Sequence, residues 1–273
     1  MEPYNVKIIT YPDLTKQYRI YGKTVSSPDR FDRDRKVWEF SPFGGQVKKS
    51  IPGDLKDYSV DMSEKSMKRT RAKVLDYARC NEWEWFVTFT FSHHKVNRYD
   101  YDECTKKLGK WLNNLRRSSP TLTYLVVPER HKDGAYHFHG LFSGISEKQI
   151  VWTGKYVVKR VRGPRSRFLR TSDKIYKIGS YKLGWMTATR VRDNERVTSY
   201  ITKYITKDML EGLQGKKRYW CTRNLLLPVE EVYNLDESER FILSCELEES
   251  ARFKTFSQVR DVGITQSVNI YEV

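Results

Sequence analysis

Two short runs rich in β-branched and aromatic residues stand close together in the middle of the chain, at 124–130 and 136–142. The Lys-Asp-Gly segment at 132–134 between them is typical of a turn, so the pattern predicts a β-hairpin. Successive side chains of a strand point to opposite faces of the sheet. His137 and His139 would therefore share one face of the second strand.

The length of the turn decides whether a carboxylate joins the two histidines. If the loop is residues 131–135, Glu129 lies directly across from His137, with the two Cβ atoms roughly 5 Å apart. Two imidazoles and a carboxylate would then converge on a divalent-metal site with open positions. A two-residue turn at 133–134 would place Glu129 on the opposite face, and the pattern also fits an ordinary strand with two exposed histidines.

Hydrophobic periodicity predicts further elements on both sides of the hairpin. They are a helix over 62–80 with Ser63 as N-cap, a strand over 85–91, a helix over 101–117, a strand over 185–191, a helix from 193 or 194 to about 210, and a strand over 217–227. The order β-α-β-β-insertion-β-α-β predicts an α+β fold. We expect a mostly antiparallel sheet with helices on one face, the ferredoxin-like arrangement that RNA-recognition domains share.

The two ends of the chain differ in composition from this core, which spans 61–228. Residues 1–60 are predicted to form an irregular N-terminal extension in which short strands fit at 6–10 and 35–40. Residues 229–273 turn acidic and form a C-terminal extension. A tail of this sign would pack on a basic surface, bind a partner or aid solubility.

Composition narrows the class of protein. The formal charge of +16, with 14% aromatic residues, favours a polyanionic partner. No run approaches the roughly 18 apolar residues of a membrane span, and no signal peptide is visible. The four cysteines are scattered, which is typical of a reducing cytoplasm.

The strongest candidate for a nucleic-acid surface is the basic insertion at 146–183, where aromatic residues alternate with cations. Cations neutralise phosphates and rings stack on bases, so the combination indicates DNA contact. A solvated hairpin would explain the rings but not the excess of positive charge. The residues predicted to contact DNA are Lys155, Lys159, Arg160, Arg162, Arg165, Arg167 and Arg170.

The segment 200–207 repeats Tyr-Ile-Thr-Lys, which places Tyr200 and Tyr204 one helical turn apart with Lys203 and Lys207 on their side. A phenol with a pKa near 10 is a weak nucleophile at neutral pH unless a metal or a lysine favours the phenolate. Opposite a metal site, such a pair suits attack on a phosphodiester. The pattern alone also fits an ordinary amphipathic helix.

Three motifs stand in one order along the chain: Phe-Val-Thr-Phe-Thr-Phe at 86–91, His-Phe-His at 137–139 with the segment 128–134 before it, and the tyrosine repeat at 200–207. Over roughly 62–228 the sequence resembles the HUH endonuclease superfamily of rolling-circle replication initiators. It is most similar to the Rep proteins of small circular single-stranded-DNA phages (microvirus-like) and of related phages and plasmids.

The resemblance implies a ferredoxin-like, RRM-like HUH core in which His137, His139 and an acidic third ligand, Glu129, hold Mg²⁺ or Mn²⁺. It implies that Tyr200 and Tyr204 are the nucleophiles of a site-specific single-strand endonuclease and strand transferase. The enzyme would nick a replication origin, leave a 5′-phosphotyrosine and a free 3′-hydroxyl, and later rejoin the strands.

Lys203 and Lys207 would assist the phenolate or hold phosphate oxygens. The chain carries no Gly-x-x-x-x-Gly-Lys-Ser/Thr loop, so a host helicase and polymerase are the expected partners, in the cytoplasm of a bacterial host. The oligomeric state stays open. Two rivals remain: a relaxase or transposase of the same superfamily, and a non-catalytic RRM-like nucleic-acid-binding module that needs no metal.

Overall fold

A computed structural model of the protein describes residues 2–25, 55–161, 167–205, 216–261 and 264–273. Within these ranges, the side chains at 55–65, 160–161, 167, 257–261 and 264–266 are not described. The strand expected at 35–40 and the predicted site residues Arg162, Arg165 and Lys207 therefore lie outside the described residues, as do the side chains of Arg160 and Arg167.

The described chain forms twelve strands and four α-helices. The strands are β1 (Tyr4–Thr10), β2 (Lys16–Val25), β3 (Trp85–Phe91), β4 (Thr123–Arg130), β5 (Tyr136–Ser143), β6 (Ile150–Val161), β7 (Arg167–Ile178), β8 (Gly184–Arg190), β9 (Trp220–Cys221), β10 (Val229–Tyr233), β11 (Phe253–Asp261) and β12 (Ile264–Glu272). The helices are α1 (Leu55–Arg79), α2 (Tyr101–Ser118), α3 (Asn194–Thr202) and α4 (Glu237–Ser250). The predicted α+β class is confirmed. No described helix is long and apolar enough to cross a membrane.

The elements divide into two compact units, a terminal unit made of Met1–Lys56 and Leu227–Val273 and a central unit, Asp57–Leu226. The terminal unit holds one antiparallel sheet in the order β10-β1-β2-β12-β11. Its core joins Val6 and Tyr271 of the sheet with Leu247 of α4. The sequence predicts two separate extensions, but the two ends of the chain share this sheet. Pairing over such a separation leaves no local pattern in the sequence.

The central unit is built on a seven-stranded sheet in the order β6-β7-β8-β3-β5-β4-β9, and every described pairing in it is antiparallel. The predicted mostly antiparallel sheet is thereby confirmed. Strands β3 and β4 are joined through α2, yet β5 lies between them. The hairpin β6–β7, which contains most of the predicted basic insertion, extends the sheet beyond β8.

Helices cover both faces of this sheet, so the expectation of helices on one face is wrong. Alternate residues of β3, including Val87 and Phe89, pack with Leu108 of α2 on one face. On the other face, Ile201 of α3 packs with Val74 of α1. The physical reason is that alternate positions of the inner strands are apolar on both sides, and each side then needs a cover. We call these the α2 face and the α1/α3 face.

Several predicted boundaries shift. Helix α1 begins at Leu55, so Ser63 is not its N-cap. Helix α3 ends at Thr202 rather than near 210, and the chain continues to Ile205 through hydrogen bonds between residues three apart. The strand expected at 217–227 shrinks to the two residues of β9. Periodicity locates helices and strands well, but hydrogen bonding sets their ends.

Candidate active site

The hairpin has the longer turn, and this confirms the predicted register. Glu129 pairs directly with His137, so the loop is residues 131–135. The backbone N–H of His131 donates to the carbonyl of Ala135 at 2.8 Å, which closes the loop. Gly134 has a φ of 86°, a left-handed conformation that favours glycine.

Directly paired residues form a row across four strands on the α1/α3 face. From β8 to β4 the row is Trp185, Thr90, His137 and Glu129. In an antiparallel sheet, residues that pair directly share a face and are close neighbours. The row therefore continues the predicted metal site sideways toward the basic hairpin.

Two threonines of β3 orient the two histidines. Thr90 Oγ1 lies 3.3 Å from His137 Nδ1, and Thr88 Oγ1 lies 3.1 Å from His139 Nδ1. A hydrogen bond at Nδ1 sets the tilt of an imidazole and directs its Nε2 away from the strand that supplies the partner. Thr88 and Thr90 belong to the motif at 86–91, but no role could be assigned to them from the sequence.

His139 and Glu129 are in direct contact. His139 Nε2 lies 2.7 Å from Glu129 Oε2, and the histidine is only 6% exposed. This hydrogen bond is the main cause that lowers the pKa of Glu129 below its usual value, although partial burial opposes it. The pair is thus a carboxylate and an imidazole that share a proton, in the position where a cation would find one oxygen and one nitrogen ligand.

His137 is half-buried and its ring stacks on that of His131, with centroids 5.0 Å apart. Burial, and next the neighbouring His131, lower the pKa of His137. The imidazole is therefore neutral at neutral pH, which is the form that binds metals.

The donor set suits a divalent metal, but the side chains do not yet form a closed metal site. Within the described ranges, no group of three or more His, Cys, Asp and Glu stands in an arrangement that could hold a metal ion. Of the predicted ligands, His139 and Glu129 are in contact, and His137 is the direct cross-strand neighbour of Glu129. The ligand types and their shared face fit Mg²⁺ or Mn²⁺, and closure of the set requires side-chain rotation only.

The tyrosines reach the histidines from the end of α3. The ring of Tyr204 stacks on that of His139, with centroids 3.6 Å apart and planes 8° apart. Tyr200 meets Tyr204 edge-on at 5.3 Å. Burial, followed by a hydrogen bond with Tyr200, raises the pKa of Tyr204 above its usual value and keeps its phenol protonated. Tyr200 is 45% exposed and therefore accessible to a large substrate.

Of the two predicted lysines, Lys203 is described. It is exposed, and its Nζ lies 5.6 Å from the centroid of the Tyr200 ring. This places a positive charge close to one of the two phenols, where it opposes protonation of a nearby oxygen. Lys203 is the C-cap of α3, so its position depends on the end of that helix.

The basic hairpin displays both charges and rings. Lys155, Lys159 and Arg170 are exposed, as the predicted DNA contacts should be. The guanidinium of Arg170 lies over the ring of Tyr156 at 3.7 Å, and Lys155 Nζ lies 5.0 Å from the Trp185 ring. Trp185 has no predicted role in the sequence. Its signal was its place in strand 185–191, opposite in phase to the apolar positions.

Comparison with known proteins supports a role in replication. Residues 84–209 match the model of a family described as replication-associated protein ORF2, or gene 2 protein. The matched region contains the histidine hairpin, the basic hairpin and both tyrosines, and the match is consistent with a Rep-type replication protein. No curated protein matches the chain, and no solved structure matches it.

Proposed function

We propose that the protein is a replication initiator of the HUH superfamily. It nicks single-stranded DNA at an origin by metal-dependent attack of a tyrosine, which leaves a 5′-phosphotyrosine and a free 3′-hydroxyl. It later rejoins strands to end rolling-circle replication. The observation that carries the proposal is the stacking of Tyr204 on His139 at 3.6 Å, with Tyr200 beside it.

The topology supports an HUH-type core. Strands β3 and β4 are joined through α2 and separated by β5, which is a split β-α-β unit. One departure from the ferredoxin-like pattern is the approach to β8, which follows the hairpin β6–β7 instead of a helix. The histidines lie on β5, in the interior of this sheet, so their backbone is held on both sides.

In the proposed reaction, a tyrosine oxygen forms a bond to phosphorus as the bond from phosphorus to the 3′ oxygen breaks. The phenol proton leaves to water, and the departing 3′ oxygen takes up a proton. Tyr200, exposed and close to Lys203, is suited to the first attack. Tyr204, held protonated against His139, is suited to act second, once its hydrogen bond with Tyr200 is broken.

His137, His139 and Glu129 would hold the divalent metal. When bound, a divalent ion neutralises charge on the scissile phosphate as the transition state forms. Loading the site removes the proton shared by His139 and Glu129. Ring orientation is retained, because Thr88 and Thr90 hold the histidines from the opposite side.

The proposed ligand is a single strand of DNA at a replication origin, and the protein would act in the cytoplasm of a bacterial host. The charge of +16 favours such a polyanion. Because the printed sequence carries no phosphate-binding loop of the helicase type, a host helicase and polymerase would open and copy the duplex.

The test is an adduct assay. Labelled single-stranded DNA that carries the origin is incubated with the protein and Mn²⁺ or Mg²⁺, and the products are separated on a denaturing gel. Wild type is compared with Tyr200→Phe, Tyr204→Phe and the double variant. We expect a covalent protein–DNA band that requires metal and is absent from the double variant. Tyr200→Phe should lose the larger share of first-strand cleavage.

A matched control is Tyr99→Phe, which removes the hydroxyl of another exposed tyrosine outside the tyrosine repeat. It should form the adduct as wild type does. Cleavage without an adduct would show that water is the nucleophile and would contradict the tyrosine mechanism.

A second candidate is a non-catalytic single-strand-binding module. It is favoured by the exposed rings of the sheet, since Trp152, Phe168 and Trp185 are 47%, 73% and 57% exposed. Such a module would bind DNA equally well with a chelator present, and His137→Ala would leave its binding unchanged. Tight binding with neither cleavage nor adduct would favour this candidate.

A further inference from the structure

Trp185 is an unusually exposed large ring in the middle of a sheet. It is 57% exposed, although its neighbour Met186 is 5% exposed and packs into the core of the α2 face. Burial of apolar surface normally drives a tryptophan inward. Trp185 points instead to the α1/α3 face, beside the histidines.

The backbone holds Trp185 in register with the candidate active site. It pairs directly with Thr90, which pairs directly with His137. Two interstrand spacings separate Trp185 from His137, roughly 10 Å. A Cβ at the adjacent Gly184 would overlap the carbonyl oxygen of Thr90, so β8 approaches β3 unusually closely at this point. The ring therefore has a defined position relative to the proposed metal ligands.

A cation from the basic hairpin lies over this ring. Lys155 Nζ is 5.0 Å from the Trp185 centroid, and the lysine itself is exposed. An exposed cation–π contact is weak, whereas stacking of a nucleobase on an aromatic side chain changes affinity by roughly 5- to 150-fold. A base can therefore displace the ammonium group from the ring, and the freed ammonium group can bind the phosphate next to that base.

We propose that Trp185 and Lys155 form a nucleobase subsite beside the candidate active site, in which one base of single-stranded DNA stacks on the indole and its phosphate binds the lysine. The subsite holds the strand in line with the row that leads through Thr90 to His137. This inference rests on the proposed function, because the strand it positions is the one to be cleaved.

Trp152 offers a matched control. It is 47% exposed, lies in the same sheet and has its own cation, Lys174 at 5.3 Å. Its direct neighbour Tyr176 packs on Trp85 of the α2 face, so Trp152 lies on the face opposite Trp185. Loss of either indole removes a similar exposed ring, but only one of them borders the histidines.

The experiment measures affinity for labelled single-stranded thymidine oligonucleotides of about 16 nucleotides, the upper end of the usual site size. Trp185→Ala and Trp185→Leu should raise the Kd by roughly 5- to 150-fold, and Trp185→Phe should retain most of the affinity. Trp152→Ala should bind as wild type does. Lys155→Ala should lower the slope of log Kd against log salt by about 0.7, the value for one phosphate contact on a single strand.

A fluorescent base analogue in the oligonucleotide reports stacking directly, since its emission should be quenched by wild type and recover with Trp185→Leu. The comparison of leucine with phenylalanine decides the matter even if the alanine variant does not fold. An unchanged Kd for Trp185→Leu, or an equal loss for Trp152→Ala, would overturn the subsite.

The two proposals fail in different ways. If wild type forms no covalent adduct but Trp185→Leu still weakens binding, the tyrosine mechanism is wrong and the subsite stands. If the adduct forms and Trp185→Leu binds and reacts as wild type does, the subsite is wrong and the tyrosine mechanism stands.

Discussion

The two faces of the central sheet are made from the same strands, yet they differ in chemistry. On the α2 face, β5 contributes Tyr136, Phe138 and Phe142, all buried in one aromatic core. On the α1/α3 face, the same strand contributes His137 and His139, next to threonines, a carboxylate and tyrosines.

This difference separates stability from chemistry at a resolution of single residues. Polar groups in a sheet interior are costly unless they are hydrogen-bonded, and here each histidine has a threonine partner. The dense aromatic packing of the α2 face holds the strands that carry the polar row. If the separation is real, neighbouring substitutions on β5 should have opposite consequences.

The largest expected effect separates Phe138 from His137. Phe138 is fully buried, so Phe138→Ala should lower the free energy of unfolding by about 3–5 kcal/mol. His137→Ala, at a half-buried position, should cost far less stability but abolish the covalent adduct. Chemical denaturation and the adduct gel measure the two effects side by side. Equal loss of stability in both variants would refute the division between faces.

The next effect concerns the threonine behind His139. Thr88→Val keeps the shape of the side chain but removes the hydroxyl at Nδ1. Loss of such a partner typically lowers metal affinity by about 10- to 100-fold. Titration with Mn²⁺ followed by calorimetry would measure it.

Thr187→Val is the matched control, because Thr187 pairs with Thr88 on the neighbouring strand of the same face. It should bind Mn²⁺ as wild type does. A similar fall in affinity for both variants would mean that the face as a whole, rather than the hydrogen bond to His139, had changed.

The pH dependence of stability sharpens the same comparison. The pKa of Glu129 is lowered in the folded protein, chiefly by its hydrogen bond with His139, and that of His137 is lowered chiefly by burial. Both groups then bind fewer protons folded than unfolded, so stability is present above their usual pKa values, 6.5 for His137 and 4.5 for Glu129, and falls as the pH drops through that range.

Thermal melts in the presence of a chelator, from pH 7 downward, should show this loss. Glu129→Gln removes the carboxylate and should flatten the curve near pH 4.5 and below. The closest control is Asp102→Asn, which changes an exposed carboxylate on α2. An unchanged acid limb in the Glu129 variant would contradict the assigned pairing.

The smallest effect lies on the α2 side. A Cβ at Gly109 in the middle of α2 would meet nothing within 4 Å. Gly109→Ala should therefore stabilise the protein by about 0.5–1 kcal/mol through helix propensity and leave DNA binding and adduct formation unchanged. A gain in thermal stability accompanied by a change in cleavage would show that the two faces are coupled.

Much of the core could be predicted from the sequence. Alternation and turn residues located the hairpin and its register, because a five-residue loop determines which side chain faces His137. Helical periodicity located α2 within a residue, since its apolar stripe is regular and Asp100 caps it. The end of α3 was not predictable, because the change to hydrogen bonds between residues three apart leaves the apolar spacing intact.

Other parts required the folded chain. The partnership of Thr88 with His139 joins residues 51 positions apart, and that of Asn5 with Leu235 joins residues 230 positions apart. No local pattern carries such information. Trp185 looked like one more aromatic residue of a strand until the register placed it in line with Thr90 and His137.

The sequence by itself determined which chemical groups are present and which local elements carry them: two histidines on one face of a strand, two tyrosines a helical turn apart, and an excess of cations. Only the tertiary structure decided that these groups meet on one face, that Glu129 shares a proton with His139, and that an indole borders them. The physical reason is that periodicity along a chain reports the environment of each residue, whereas distances between strands and helices depend on how distant segments pack.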